Sequence, residues 1–107
     1  MPKAAWRQKI DGRWWRFVLA TRGAVGKEYR KAHPQDKSGD PFDGFCHSAK
    51  RTIYICDDLP PDATELVALH EVVHARVWDL DEETVTELAE SQHEATRRLR
   101  KRQRQNE

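Results

Sequence analysis

The segment Leu59-Pro60-Pro61 divides the chain into two parts whose apolar residues repeat at different intervals. Before it, apolar and polar residues alternate, which is the period of a β-strand with one buried face. After it, apolar residues recur every three or four positions, as in an amphipathic helix. We therefore predict an α+β fold in a single domain over residues 1–107. In it, a small antiparallel β-sheet of two hairpins packs on an antiparallel two-helix hairpin.

Two hairpins are predicted before this segment. Residues 1–19 contain Asp11-Gly12 between two β-prone runs, and an Asp-Gly loop tolerates the positive φ angles of a tight turn. The second hairpin covers residues 45–56, with its turn around Ser48-Ala49-Lys50-Arg51. Residues 20–44 are rich in Gly and Pro and have little apolar content, which predicts a long loop.

The aromatic residues of the first hairpin have two interpretations. Alternation places Trp15, Phe17 and Leu19 on one face of the strand, with Trp14 and Arg16 on the other. So many aromatic side chains can form a stacking platform for nucleic acid. Burial statistics favour the interpretation that they supply most of a small core.

Two helices are predicted after the proline segment, over residues 62–78 and 80–99, followed by a basic tail at residues 100–107. Asp62 and Glu65 have the spacing of a capping box, with Asp62 as the capping residue. The expected inner stripe of the first helix is Leu66, Leu69, Val73 and Val77. The expected inner stripe of the second is Val85, Leu88, Ala89, Gln92 and Leu99.

The net charge of +1 conceals a strong segregation of charge along the sequence. Residues 57–94 contain twelve acids and one arginine, whereas residues 1–31 carry nine Lys/Arg and two acids. An acidic centre between basic ends suggests either self-complementary packing, or a cation site in the middle and an anionic partner at the ends. The six Lys/Arg of residues 97–104 predict a possible nonspecific contact with nucleic acid, with a solvated helix end as the alternative.

Composition also indicates a compartment. No apolar run approaches the roughly 20 residues that span a bilayer, and the first residues lack the apolar core of a secretory signal. Two cysteines are too few for a disulfide scaffold. We therefore expect a cytoplasmic protein without a membrane segment.

The first helix carries the motif His70-Glu71-Val72-Val73-His74. Histidines four residues apart lie on one helix face, so both imidazoles can bind one Zn²⁺. Glu71 projects beside them and can take a proton from a metal-bound water as a general base. The motif predicts a zinc site with Glu71 as its catalytic residue.

A catalytic zinc needs a third protein ligand. Glu83 and Glu87 have E-x-x-x-[DE] spacing, and Glu83 is the first candidate for the third ligand. Glu87 could orient a ligating histidine through its second ring nitrogen, or could itself be the third ligand instead of Glu83. Glu82 lies closer to the apolar stripe of that helix and is the next alternative, followed by Glu90.

These residues resemble a known family. The motif helix, the turn Trp78-Asp79-Leu80-Asp81-Glu82-Glu83 and the strand residues Gly44-Phe45-Cys46 and Thr52-Ile53-Tyr54-Ile55 look like the small zinc metallopeptidases of phages and prophages, which are minimal zincins. The resemblance covers about residues 44–90. It implies hydrolysis of a peptide or protein substrate in a bacterial host cell.

The resemblance also implies roles for individual residues. In gluzincins such as thermolysin the third ligand lies in an E-x-x-x-D helix, and this role carries over to Glu83, with the supporting role on Glu87. An extended substrate would pair with an edge strand near Thr52–Cys56. Candidate donors to the oxyanion are His47, Tyr54, His33 and the arginines.

A second zinc hypothesis uses the cysteines. Cys46, Cys56, His70 and His74 form a possible structural Cys₂His₂ set in a module that binds nucleic acid through its basic termini. The spacing between the cysteines lacks the usual short knuckle. Their symmetry about Arg51 instead indicates a cross-strand pair of buried thiols.

Overall fold

A four-stranded sheet has one helix packed on each face, and a third helix packs against one of these two. The structure is a computed structural model that describes residues 3–36 and 42–105. The strands are β1 (Ala4–Ile10), β2 (Arg13–Ala20), β3 (Gly44–His47) and β4 (Thr52–Cys56). The helices are α1 (Arg22–Ala32), α2 (Pro61–Arg76) and α3 (Glu82–Gln105), with a 3₁₀ turn at Ser48–Lys50.

The sheet is mixed, so the prediction of an antiparallel sheet is wrong. The strand order is β1-β2-β4-β3, with antiparallel pairs at both edges and a parallel pair, β2 with β4, in the middle. The chain leaves β2, forms α1 across the sheet and returns at the far edge as β3. Because β3 and β4 form a hairpin, β4 then runs parallel to β2. The α+β class is confirmed.

Helix α1 lies inside the predicted loop over residues 20–44, so that prediction is wrong for Arg22–Ala32. Thr21 caps the helix by accepting a hydrogen bond from the N–H of Ala24 at 3.2 Å, and Val25 is completely buried. The helix buries few apolar residues, which explains why the apolar pattern did not reveal it. Residues 37–41 of the predicted loop lie outside the described residues.

Both predicted hairpins are present. Asp11 and Gly12 have φ angles of 50° and 81°, the left-handed conformations of a tight two-residue turn. Trp15 and Phe17 are buried with Ile10, Ile53 and Ile55 on the sheet face that meets α2, so the core interpretation of these two aromatics is confirmed. The ends of the chain, residues 1–2 and 106–107, lie outside the described residues.

The two long helices differ from their predicted limits. Helix α2 starts at Pro61 and ends at Arg76, and its N-cap, Pro60, makes no side-chain hydrogen bond, so the predicted capping box at Asp62 is wrong. Helix α3 runs through the predicted tail as far as Gln105. None of the described helices is both long enough and apolar enough to cross a membrane.

The inner face of α3 is narrower than predicted. Its buried residues are Val85, Ala89 and His93, which follow one another at four-residue spacing. Leu88 and Leu99 are exposed, so the predicted stripe is wrong at those positions. This face fixes the rotation of α3 about its own axis and thereby decides which of its acids point toward α2.

Candidate metal centre

Helix α2 brings the two histidines of the motif together. The Nε2 atoms of His70 and His74 lie 3.2 Å apart. Both side chains are partly buried, at 21% and 24% exposure. They stand one helical turn apart, so they lie along the same side of α2. Two imidazole nitrogens this close can bind the same cation.

The first residue of α3, Glu82, completes the set. Its Oε1 lies 2.6 Å from His70 Nε2, and its Oε2 lies 3.0 Å from His74 Nε2. Asp81 fixes the start of α3 by accepting a hydrogen bond from the N–H of Thr84 at 2.8 Å, and this contact lowers the pKa of the Asp81 carboxyl. The helix cap therefore determines where the Glu82 side chain begins.

The structure places Glu82, and not the first-ranked Glu83, against the histidines. Glu82, Thr86 and Glu90 line one cleft beside His70, since residues four apart share a helix face. Glu83 and Glu87 are exposed and one position further around the helix. The sequence does carry a signal for Glu82, which precedes the buried residues Val85 and Ala89 by three and seven positions.

The three donor atoms fit a zinc ion. Two imidazole nitrogens and one carboxylate oxygen form a common catalytic zinc set. With bonds of about 2.0–2.1 Å, two ligands of a tetrahedral zinc site lie about 3.3 Å apart. The two histidine nitrogens, 3.2 Å apart, are close to that value. Glu82 reaches them through its two oxygens, at 2.6 Å from His70 and 3.0 Å from His74, which is somewhat shorter. The Glu82 side chain is 70% exposed, so one side of the site is open to solvent.

Glu71 lies behind the ligand atoms and is 6% exposed. One of its carboxylate oxygens lies within 4.8 Å of ligating nitrogens of both His70 and His74. Burial, and then the nearby Glu82 carboxylate, raise the pKa of Glu71 to about 8. A buried acid beside such a donor set is placed to exchange a proton with a bound water.

The site opens into a cleft of about 410 Å³ between α2 and strand β3. A second cleft of about 290 Å³ continues past Gly44 along α3. His70, Glu71 and Glu82 line both clefts, together with Gly44. The donor set therefore stands where the two clefts meet, beside an edge of the sheet.

That edge is β3, so the predicted edge strand at Thr52–Cys56 is wrong. Strand β4 is an interior strand, paired with β2 on one side and β3 on the other. Among the residues that the structure describes, no strand pairs with the outer edge of β3. Arg22 holds the start of β3 by donating hydrogen bonds to the carbonyl of Phe42 at 2.8 Å and to Asp43 at 2.9 Å.

Two predicted oxyanion donors lie away from the cleft. Tyr54 stacks on Phe45 at 4.8 Å on the sheet face that α1 covers, and His47 accepts a hydrogen bond from the N–H of Lys50. The donor candidate that does line the cleft is His33, beside Tyr29, a residue that sequence reasoning missed. The Tyr29 hydroxyl donates to Asp36.

The cysteines do not assemble with the histidines. Cys46 packs with the core on the α2 side of the sheet, whereas Cys56 is buried on the α1 side. Cys46 is paired across the hairpin with Ile53, so the predicted cross-strand pair is wrong, and both thiols are free. A closed Cys₂His₂ site is incompatible with this arrangement.

Sequence reasoning also missed a second cluster, at the other end of the helical hairpin. Buried His93 points Nε2 toward Asp62 Oδ1 at 3.1 Å and Glu65 Oε2 at 3.7 Å, without the alignment of a hydrogen bond. Arg100 donates to both Glu65 oxygens at 2.9 and 2.6 Å, which lowers the pKa of Glu65. These contacts join α2 to α3.

The comparisons with known proteins add no family. Searches of protein-family models, curated proteins and solved structures found no match to the chain.

Proposed function

We propose that this protein is a zinc-dependent metallopeptidase whose ligands are His70, His74 and Glu82. The observation that carries the proposal is the meeting of two imidazoles and one carboxylate within 3.2 Å of one another, open to solvent on one side and next to the buried Glu71. The resemblance of the sequence to small phage and prophage zinc metallopeptidases supports a peptide as the substrate class.

Each residue of the site has a defined task in such a reaction. Zn²⁺, when bound, polarises a carbonyl and lowers the pKa of its water toward about 7. A bound cation favours the ionised form of the neighbouring Glu71, whose carboxylate can then accept a proton and later return it to the departing amine. Glu71 lines both clefts at the donor set, so its carboxyl faces the space where a water and a substrate would bind.

The free edge of β3 supports binding of an extended peptide. The N–H of Cys56 donates to the carbonyl of Asp43, which makes Asp43 and Cys56 a hydrogen-bonded pair in the antiparallel register. Hydrogen-bonded pairs alternate along such a ladder, so the peptide groups of Gly44 and Cys46 face outward. Both residues line the cleft beside Glu71. A substrate strand added there would pass the donor set.

The structural-zinc alternative has less support. A structural site is closed by four protein ligands, whereas this donor set has three and faces an open cleft. Cys56 lies on the opposite face of the sheet. The catalytic interpretation also gives the buried Glu71 a role that a structural site would not.

The test is hydrolysis of a fluorescein-labelled casein by zinc-loaded protein and by two variants. Glu71→Gln should retain zinc and lose at least about 100-fold in hydrolysis rate, because the proton acceptor is gone. Glu87→Gln, which changes an exposed acid on α3, should match the wild type. Unchanged hydrolysis in Glu71→Gln, or no hydrolysis by any zinc-loaded form, contradicts the proposal.

A further inference from the structure

Helix α1 covers only part of its face of the sheet, and the uncovered part carries an exposed tryptophan with two cations next to it. Trp14 is 50% exposed, on the opposite face of β2 from the buried Trp15 and Phe17. The guanidinium of Arg7 lies 5.0 Å from the centre of the Trp14 ring, and Lys9 Nζ lies 5.4 Å from it. Arg16 stands opposite Arg7 in the register of β1 and β2.

Helix α1 explains why this part of the face stays open. It packs over Val18 and Ala20 at the far end of β2 and over β3 and β4. Trp14 and Arg16, at the near end of β2, lie beyond it and are exposed. The outer face of the first hairpin is therefore accessible to solvent and distinct from the cleft on the α2 side.

The charges of this surface are unneutralised. Strands β1 and β2 contain four Lys/Arg and no acid. In the described part of the chain, no carboxylate lies within 4.0 Å of Arg7, Lys9 or Arg16, whereas Arg22 and Arg100 are both paired with acids. An exposed aromatic ring next to unpaired cations matches a ligand that has both aromatic rings and negative charges.

We propose that the outer face of the first hairpin, formed by Arg7, Lys9, Trp14 and Arg16, binds single-stranded nucleic acid. A base stacks on the exposed part of Trp14, while the three cations contact the phosphates on either side. Duplex DNA has no unstacked base to offer the ring, so it should bind less tightly. The proposal does not depend on the zinc site.

The C-terminal part of α3 is the competing basic surface. Arg97, Arg98 and Arg100 pair with acids, but Lys101, Arg102 and Arg104 have no carboxylate within 4.0 Å among the described residues. It has three free cations, the same number as the hairpin surface, but its exposed segment contains no aromatic ring. The two surfaces can therefore be compared by removing three charges from each.

The experiment measures binding by fluorescence anisotropy, with labelled oligothymidylate and oligouridylate of about 12 nucleotides as probes. At about 50 mM salt, Trp14→Ala should weaken binding about 10-fold or more. Trp14→Phe, which keeps a ring, should stay within threefold of the wild type. The triple variant Arg7→Gln/Lys9→Gln/Arg16→Gln should also lose about 10-fold or more and flatten the salt dependence, whose expected slope is about −2 for three phosphate contacts.

The matched control is Lys101→Gln/Arg102→Gln/Arg104→Gln, which removes three charges from α3 and should cost less than the hairpin triple. Binding of neither probe by the wild type overturns the proposal. So does a loss below threefold in Trp14→Ala or in the hairpin triple, or equal weakness of Trp14→Phe and Trp14→Ala. Binding of an equally long duplex as tightly as the single strand also overturns it. Preference for one probe over the other identifies the nucleic acid as DNA or RNA.

Discussion

The carboxylate of Glu82 lies 2.6 Å from Nε2 of His70, so the first residue of α3 meets a side chain from the last two turns of α2. The connection between the helices is only residues 77–81, and it places the two residues side by side. In the proposed zinc site the ligands come from both helices, so metal binding would depend on the helical hairpin.

Removal of zinc should destabilise the protein. A ligand that binds only the folded state at 100 times its Kd adds about 2.7 kcal/mol to the free energy of unfolding. For a domain of this size, we expect a chelator to lower the Tm by about 10 °C or more. Thermal unfolding followed by circular dichroism measures the shift. His70→Ala, which lacks a ligand, should give the same Tm with and without chelator; a wild type equally insensitive to the chelator would count against the metal centre.

The Cys46 thiol should be unreactive in the metal-free protein at pH 8. Burial, and then the nearby Glu71 carboxylate, raise the pKa of Cys46 to about 12. Because the thiolate is the nucleophile, a pKa raised this far leaves about 0.01% of the group reactive at pH 8. The rate of alkylation by iodoacetamide, followed by mass spectrometry, should then rise about tenfold for each pH unit toward pH 10. Alkylation of Cys46 as fast as that of a free cysteine would show that the thiol is exposed.

Gly44→Ala should disturb the edge strand. A Cβ at this position would lie 2.5 Å from the carbonyl oxygen of Tyr54 and 2.9 Å from Val67 Cγ1, so strand or helix must shift. We expect a loss of about 1–3 kcal/mol in the free energy of unfolding, measured by urea denaturation. The control is Gly23→Ala in α1, where a Cβ meets no atom within 4 Å and should be neutral or slightly stabilising. Equal stability of the two variants contradicts the close approach of β3 to α2.

His93→Ala should weaken the contact between α2 and α3. The ring is 8% exposed and faces Asp62, so its removal leaves a cavity and an acid without its nearest partner. We expect a loss of about 2 kcal/mol in the free energy of unfolding. Gln92→Ala, at the exposed neighbouring position, should be close to neutral in the same urea titration. A cost no larger than that of Gln92→Ala would mean that His93 does not join the helices.

The sequence was sufficient to predict that His70 and His74 lie on one helix face beside Glu71, and that both hairpins form. Histidines four apart on a helix lie on one face whatever surrounds them, and Asp11-Gly12 specifies its turn locally. The mixed sheet was not predictable in this way. Its parallel pair depends on α1, which buries only Val25 and leaves little apolar pattern in the sequence.

The proposed third ligand, like the mixed sheet, depends on tertiary packing that the local sequence does not reveal. Glu82, Glu83 and Glu87 are all acids near the start of one helix, and spacing alone does not distinguish them. The choice is made by the Asp81 cap and by burial of Val85 and Ala89, which rotate Glu82 toward the histidines. His93 was not predicted because a histidine does not by itself indicate burial, although it continues the four-residue spacing of Val85 and Ala89.

The metal content of Glu82→Gln and Glu83→Gln tests the metal centre most directly. Both variants change one neighbouring acid at the start of α3, but only Glu82 contacts His70 and His74. Elemental analysis after dialysis against low free zinc should give one zinc per chain in the wild type and in Glu83→Gln. Glu82→Gln should retain little zinc, because its affinity is lower by about 100-fold. Loss of zinc from Glu83→Gln with full retention in Glu82→Gln, or no zinc in the wild type, would contradict the ligand set.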